Sequence, residues 1–115
     1  MSTSIPLRQI AADIAVAPQL RPESMAEIAA LGFKSVVNNR PDFEFGPDQP
    51  TNAAIAQAAA AAGLAYRFLP VAGGYQSPEE AAAMATLLAE LPRPMLAFCR
   101  TGTRSANLFR LASAL

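Results

Sequence analysis

Met95-Leu-Ala-Phe-Cys-Arg-Thr-Gly-Thr-Arg-Ser105 is the stretch that decides the fold. Four apolar residues lead into Cys99, the only cysteine of the chain. A short loop with one glycine follows, and Arg104-Ser105 opens an amphipathic run to Leu115. A continuous apolar run that ends in a turn and then a helical pattern reads as a buried parallel strand feeding a helix. Cys99 then stands at the carboxyl end of the strand, facing the loop's N–H groups and the positive end of the helix. Helix N-termini and nearby arginines lower a cysteine's pKa. An anion landing there meets the same N–H groups. The stretch reads as a thiolate nucleophile in an anion cradle.

Working outward, strands and helices alternate. The segment up to Leu7 reads as a loosely held strand or tail, and Asp13 to Ala17 as a short strand ended by Pro18. Pro22 suits the first position of a helix, with Glu23 favourable in its first turn. Met25, Ile28, Ala29 and Leu31 supply the inner face, and Gly32 ends it. Phe33 to Asn38 is the next strand. Arg40 to Pro50, rich in Pro, Gly, Asp and Phe, is a loop of a length that often carries function. Thr51 or Asn52 caps an alanine-rich helix to Ala62, with Gly63 at its end, and Tyr66 to Leu69 forms a strand. Ser77-Pro-Glu-Glu80 joins a capping box to a proline at the first helical position. Met84, Leu87, Leu88 and Leu91 then share one helical face. Pro92 and Pro94 stop that helix before the Cys99 strand. A last helix from about Thr103 carries Leu108, Leu111, Ala112 and Leu115 on one face. It reaches Leu115 with no cap or stop signal, which predicts a native chain that continues. The pattern predicts one three-layer α/β domain over 1–115 with a mostly parallel central sheet of about four to five strands. Such sheets bind ligands beyond the carboxyl ends of their strands, where Cys99 falls.

Composition narrows the chemistry. The 115 residues are 52% hydrophobic, enough for a single core. Nine basic and nine acidic residues cancel, so neither nucleic acid nor an anionic membrane is an expected partner. Met1-Ser-Thr-Ser-Ile-Pro6 lacks a cationic start and an apolar run, so no signal peptide is expected and a cytoplasmic location is the default. One cysteine excludes internal disulfides and Cys-x-x-Cys pairs. The chain has no histidine, which removes Ser-His-Asp and Cys-His pairs and histidine-containing metal sites. No metal or cofactor is expected. Any nucleophile must be activated by dipoles, arginines and hydroxyls.

The cradle offers all three. Arg100, Thr101, Gly102, Thr103 and Arg104 form the expected anion-binding loop, in which Gly102 lets several N–H groups converge. Arg104 can chelate a tetrahedral oxyanion with its planar fork. Ser105 can donate a hydrogen bond to the thiolate and stabilise it as a leaving group. Cys99, Arg104 and Ser105 are therefore the candidate catalytic residues. The blander alternative is a buried inert cysteine, which two arginines within five residues disfavour. Arg40 either joins the anion site or makes a surface salt bridge. Tyr75 either shapes the pocket rim or anchors a loop. Phe43 and Phe45 either close over the cysteine or pin the long loop to the core.

Phe98-Cys-Arg-Thr-Gly-Thr-Arg-Ser105 and Val37-Asn-Asn-Arg-Pro-Asp42, with the spacing between them, resemble the bacterial beta-lactamase-hydrolase-like family. The resemblance runs from about Arg8 onward. It implies a phosphatase-like domain with a fold similar to dual-specificity protein tyrosine phosphatases and a catalytic role for Cys99. Members of that family occur alone or fused to a persulfide dioxygenase, and both phosphatase and sulfurtransferase activities are attributed to them. A persulfide dioxygenase is thus an implied partner.

Three features bear on the reaction. Tyrosine phosphatases carry five residues between cysteine and arginine, whereas this loop carries Arg100, Thr101, Gly102 and Thr103, an order similar to rhodanese loops. Phe98 replaces the histidine that precedes the phosphatase cysteine. Pro70 to Ser77, where dual-specificity phosphatases bring a general-acid aspartate, holds no carboxylate. Asp42 or Asp48 could substitute, although a turn or cap role is the simpler reading of each. Leaving-group protonation is worth about 10²–10⁴ in rate, and sulfur transfer from thiosulfate needs no strong acid. The residues alone favour a sulfurtransferase working through a Cys99 persulfide. The alternatives are a phosphatase working through phosphocysteine on aryl phosphates, and a non-enzymatic persulfide or oxyanion carrier. The expected substrate is a small anion: thiosulfate, a persulfide or a phosphoester.

Overall fold

A computed structural model of the chain describes residues 5–115. The first part of the expected N-terminal tail, 1–4, lies outside the described residues. Nine elements follow one another: β1 (Arg8–Ala11), β2 (Ile14–Ala17), α1 (Ser24–Ala30), β3 (Ser35–Asn38), α2 (Asn52–Ala61), β4 (Ala65–Phe68), α3 (Pro78–Glu90), β5 (Met95–Phe98) and α4 (Thr103–Ser113). They form one five-stranded sheet in the order β1-β2-β5-β3-β4. Only β1 runs antiparallel, paired with β2. β2, β5, β3 and β4 are mutually parallel along the sheet.

The central strand is β5, and its burial on both faces explains its unbroken apolar run. Alternate residues point to opposite faces. Leu96 and Phe98 join Ala15, Ala17 and Val36 in a core with Met25 and Ile28 of α1 and Ile55 and Ala59 of α2. Met95 and Ala97 join Ile14, Val16 and Val37 in a second core with Met84 of α3 and Leu108 and Ala112 of α4. Full burial of a side chain such as Phe98 or Leu108 is worth about 1.5–3 kcal/mol. The alanines of α2 serve close packing: Ala59 is fully buried one turn beyond Ile55. The three-layer α/β architecture expected from the sequence is the one observed.

Local signals explain the helix ends. Thr51 Oγ1 accepts the Ala54 N–H at the start of α2, and the full capping box of Ser77 and Glu80 opens α3. Four expectations need correction. α1 begins at Ser24, not Pro22. Pro22-Glu23 forms the preceding turn, with the Met25 N–H reaching the Pro22 carbonyl. Leu31 and Leu115 are exposed rather than inner-face residues, because both lie beyond the last helical turn of α1 and α4. Arg8–Ala11 is a strand, where the sequence between the Leu7 tail and Asp13 suggests no element. Its exposed Arg8 and Gln9 and its irregular register give it no clean alternation.

The register of the parallel strands builds the site. Ala17, Phe98 and Asn38 stand level across β2, β5 and β3. Beyond that line the Asn39 N–H donates to the Phe98 carbonyl at 2.8 Å, and the Gln19 N–H donates to the Arg100 carbonyl at 3.2 Å. Gln19, Asn39, Arg40 and Cys99 therefore emerge at one end of the sheet.

Candidate active site

Cys99 leaves β5 into a turn that Gly102 closes with φ of +91° before α4. The backbone angle favours glycine, while a Cβ there would stand 3.4 Å from the Ala17 carbonyl oxygen, at contact distance. Gly102 has no side chain with which to cap α4, which leaves the first-turn N–H groups for other acceptors. The Gly102 N–H points at Cys99 Sγ, 3.1 Å away. Thr101 Oγ1 accepts from the Thr103 N–H and donates to Thr103 Oγ1, which stiffens the outer part of the loop.

Cys99 is fully buried. Burial alone pushes its thiol up. The Ser105 and Thr101 N–H groups, the Ser105 hydroxyl and the Gly102 N–H outweigh burial and hold the thiol below its ordinary value. These are hydrogen bonds to the charged form, the arrangement that favours a thiolate. The Ser105 hydroxyl has a single proton and two acceptors in reach, Asn39 Oδ1 at 2.8 Å and the sulfur. Asn39 is itself held by donation from Nδ2 to the Leu69 carbonyl at 2.9 Å. Asn39 had no assigned role in the sequence reading; its place beside Arg40 in the Asn-Asn-Arg motif was the available signal.

Arg104 is a neighbour of the thiolate, and Cys99 is among the groups that raise its own pKa, after Glu44. Glu44 was missed. Its carboxylate accepts Arg104 Nη1 and Nη2, both at 2.8 Å, and Arg40 Nε at 2.9 Å. Hydrogen bonding from Arg104, reinforced by Arg40, holds the Glu44 carboxyl below its ordinary value against the upward push of burial. Arg40 is buried and also donates from Nη1 to Gln19 Oε1 at 2.9 Å, so it joins the site rather than the outer surface.

The remaining residues divide. Arg100 turns outward and lies over the exposed Phe45 ring at 5.1 Å, and Arg40 approaches the same ring at 5.8 Å. Phe45 is thus an exposed ring shared by the two arginines, while Phe43, also exposed, takes a left-handed φ of 60°. Asp42 Oδ1 accepts the Asn52 N–H at 2.7 Å and so anchors the start of α2. Asp48 borders a shallow hollow with Arg21, Arg40 and Phe45. Tyr75 is exposed and lines a groove with Ala81 of α3 and Leu111 and Leu115 at the end of the chain. Among the described residues no cluster of three or more Cys, Asp or Glu side chains could hold a metal, and no helix is long and apolar enough to cross a membrane.

A cysteine at the end of a central parallel strand, ringed by N–H donors and followed by Arg104 and Ser105 at a helix start, defines an enzyme of the cysteine-phosphatase type. The chain belongs to the family described as "Beta-lactamase hydrolase-like protein, phosphatase-like domain", whose pattern matches residues 6–115. It is 42% identical over 88 residues to a beta-lactamase hydrolase-like protein of Agrobacterium fabrum. That match covers 76% of this chain and 20% of the relative, so the chain spans about a fifth of the relative's length. A crystal structure of a candidate phosphatase from Neisseria meningitidis is 31% identical, with a TM-score of 0.80 over 88% of this chain and 71% of that one. Pseudomonas aeruginosa TpbA, solved in complex with pTyr, shares the fold at 21% identity and a TM-score of 0.58. The likeness covers 86% of this chain and 56% of that one.

Proposed function

We propose that the domain is a cysteine-dependent phosphatase that prefers aryl phosphates. The observation that carries this reading is the stabilised Cys99 thiolate beside Arg104, held in a phosphatase fold. The thiolate attacks phosphorus, the bond from phosphorus to the aryloxy leaving group breaks, and a phosphocysteine forms. Water then attacks the phosphocysteine, inorganic phosphate leaves, and the sulfur departs as the thiolate. The Ser105 hydroxyl, which donates to Asn39 Oδ1, keeps its proton and turns its hydrogen bond to the sulfur as the thiolate charge returns. Because Cys99 has no exposed surface, substrate entry requires the side chains over it to move aside. Such preorganised donors are typically worth about 10²–10³ each in kcat.

The missing acid sets the substrate class. Asp42 is spent on the start of α2, and Glu44 is kept ionised by two arginines. With no protonated carboxyl supplied by either, a leaving group that departs as a stable anion is favoured. Phenolates do so and alkoxides do not. The pTyr bound to TpbA is an aryl phosphate and fits this class.

The sulfur-transfer reading that the residues alone favoured now ranks second. It retains the features that suggested it, the four-residue spacing between Cys99 and Arg104, Phe98 before the cysteine and the lack of a carboxylate over Pro70 to Ser77, while the family and the shared fold support phosphoryl transfer. Nothing among the relatives supports a dioxygenase partner for this domain. The test is paired: p-nitrophenyl phosphate in one assay, thiosulfate with cyanide in another. Release of p-nitrophenol that vanishes in Cys99→Ser is the expected result. Thiocyanate formation without phosphate release would overturn the assignment.

A further inference from the structure

Arg104 carries five N–H donors in a rigid plane. Three are committed: Nη1 donates to Glu44 Oε2 at 2.8 Å and to the Val71 carbonyl at 3.0 Å, and Nη2 donates to Glu44 Oε1 at 2.8 Å. The two that remain, on Nε and on the second position of Nη2, lie along the other edge of the guanidinium and make a second fork. Gly73 stands beside that edge. A Cβ there would come 3.9 Å from Nε, at ordinary contact distance. Cys99 also lies within interaction reach of this guanidinium.

We infer that Glu44 is a positioning residue that takes the end fork of Arg104 so that the Nε/Nη2 fork stays fixed for the oxyanion transferred to Cys99. Arg40 Nε, at 2.9 Å, steadies the carboxylate in turn, and Gln19 steadies Arg40. The backbone contributes as well. Phe43 takes a left-handed φ of 60°, a conformation that a residue with a Cβ adopts only at a cost. That turn leaves Phe43 and Phe45 exposed while Glu44 between them reaches the two arginines. The inference rests on the phosphoryl-transfer reading, since it assigns the free fork to a phosphoryl oxyanion.

Geometry and charge can be separated by two substitutions. Glu44→Gln removes a negative charge from the cradle and one of two parallel hydrogen bonds. It should bind inorganic phosphate about fivefold more tightly while kcat on p-nitrophenyl phosphate falls about tenfold from misaimed donors. Glu44→Asp keeps the charge but is one methylene too short to span both nitrogens. It should leave phosphate affinity unchanged and lower kcat to a similar degree. A second readout needs no turnover: the rate of Cys99 alkylation by anionic iodoacetate relative to neutral iodoacetamide should rise in Glu44→Gln and stay level in Glu44→Asp. A wild type that hydrolyses no phosphoester yet shows those ratios would sink the phosphatase reading and leave the role of Glu44 in aiming Arg104 intact. A wild type that turns over, with both variants unchanged in kcat, would overturn the role of Glu44. So would a rise in kcat with affinity in Glu44→Gln, since Glu44 would then be an obstructing counter-ion.

Discussion

The Cys99–Ser105 loop and the Arg40–Pro50 loop meet at Arg104 and Arg100, yet they are built on different principles. The first works through its own backbone. Gly102 bends the chain, and the N–H groups of Thr101, Gly102 and Ser105 turn toward Cys99 within seven consecutive residues. The second works through side chains that reach far along the sequence. Glu44 pairs with Arg104 sixty positions away, and Arg40 with Gln19 twenty-one away. A backbone cradle tolerates little change in any residue that sets its path. A side-chain brace can be weakened one bond at a time. The two loops should therefore fail differently, the first in chemistry and the second in alignment or stability.

Changes in the cradle should produce the largest effects. Arg104→Lys keeps the charge but loses both forks, and kcat on p-nitrophenyl phosphate should fall about 10²–10³-fold. Retained turnover would mean that the second loop, not the first, holds the oxyanion. Gly102→Ala forces a Cβ into a left-handed residue 3.4 Å from the Ala17 carbonyl. Denaturant unfolding should show a loss of about 1–2 kcal/mol, accompanied by slower alkylation of Cys99.

Ser105→Ala tests the electrostatics more gently, because the N–H donors remain. The midpoint of the rate of iodoacetamide alkylation against pH should move upward toward the ordinary thiol value, since a donor to the thiolate is gone. The sign for stability follows from the same displacement. A thiol lowered by folding contributes stability above its unfolded value, and that contribution is lost as pH falls through the folded value. Wild type should therefore gain stability with rising pH across that window, and Ser105→Ala should gain less.

The smallest effect belongs to the brace. Tyr66, pushed up to about 12 chiefly by burial, donates to Asn52 Oδ1 at 2.7 Å and accepts from Asn38 Nδ2 at 3.1 Å. It thereby ties β3 and β4 to the start of α2 beneath the long loop. Tyr66→Phe should cost about 1 kcal/mol in unfolding and leave the alkylation rate of Cys99 unchanged. A change in that rate would show that the two loops are coupled more tightly than their separate construction suggests.

The same contrast explains what could be read without coordinates. The Cys99–Ser105 cradle was legible because its geometry is local: an apolar strand, a glycine and a helix start are consecutive letters. The layered fold was legible for the same reason, element by element, through caps such as Ser77 and Thr51. Glu44 was not, because a glutamate between two phenylalanines in a Pro/Gly-rich loop looks solvated until Arg104 is brought beside it. Tyr75 follows Gly73 and Gly74, of which Gly73 approaches Arg104, and it lines the groove between α3 and the chain end. The ranking of sulfur over phosphoryl transfer rested on three local features: loop length, Phe98 before the cysteine and the lack of a carboxylate over Pro70 to Ser77. The fold and the relatives weigh against it.

The central claim is that Cys99 is the group that carries the phosphoryl. Acid quenching of the wild-type protein during turnover of p-nitrophenyl phosphate, followed by mass spectrometry of the peptide that contains Cys99, addresses it directly. The predicted result is a mass gain of one phosphoryl group on that peptide, absent from Cys99→Ser. Turnover with Cys99 unmodified at every quench time, or a gain of sulfur in its place, would contradict the account.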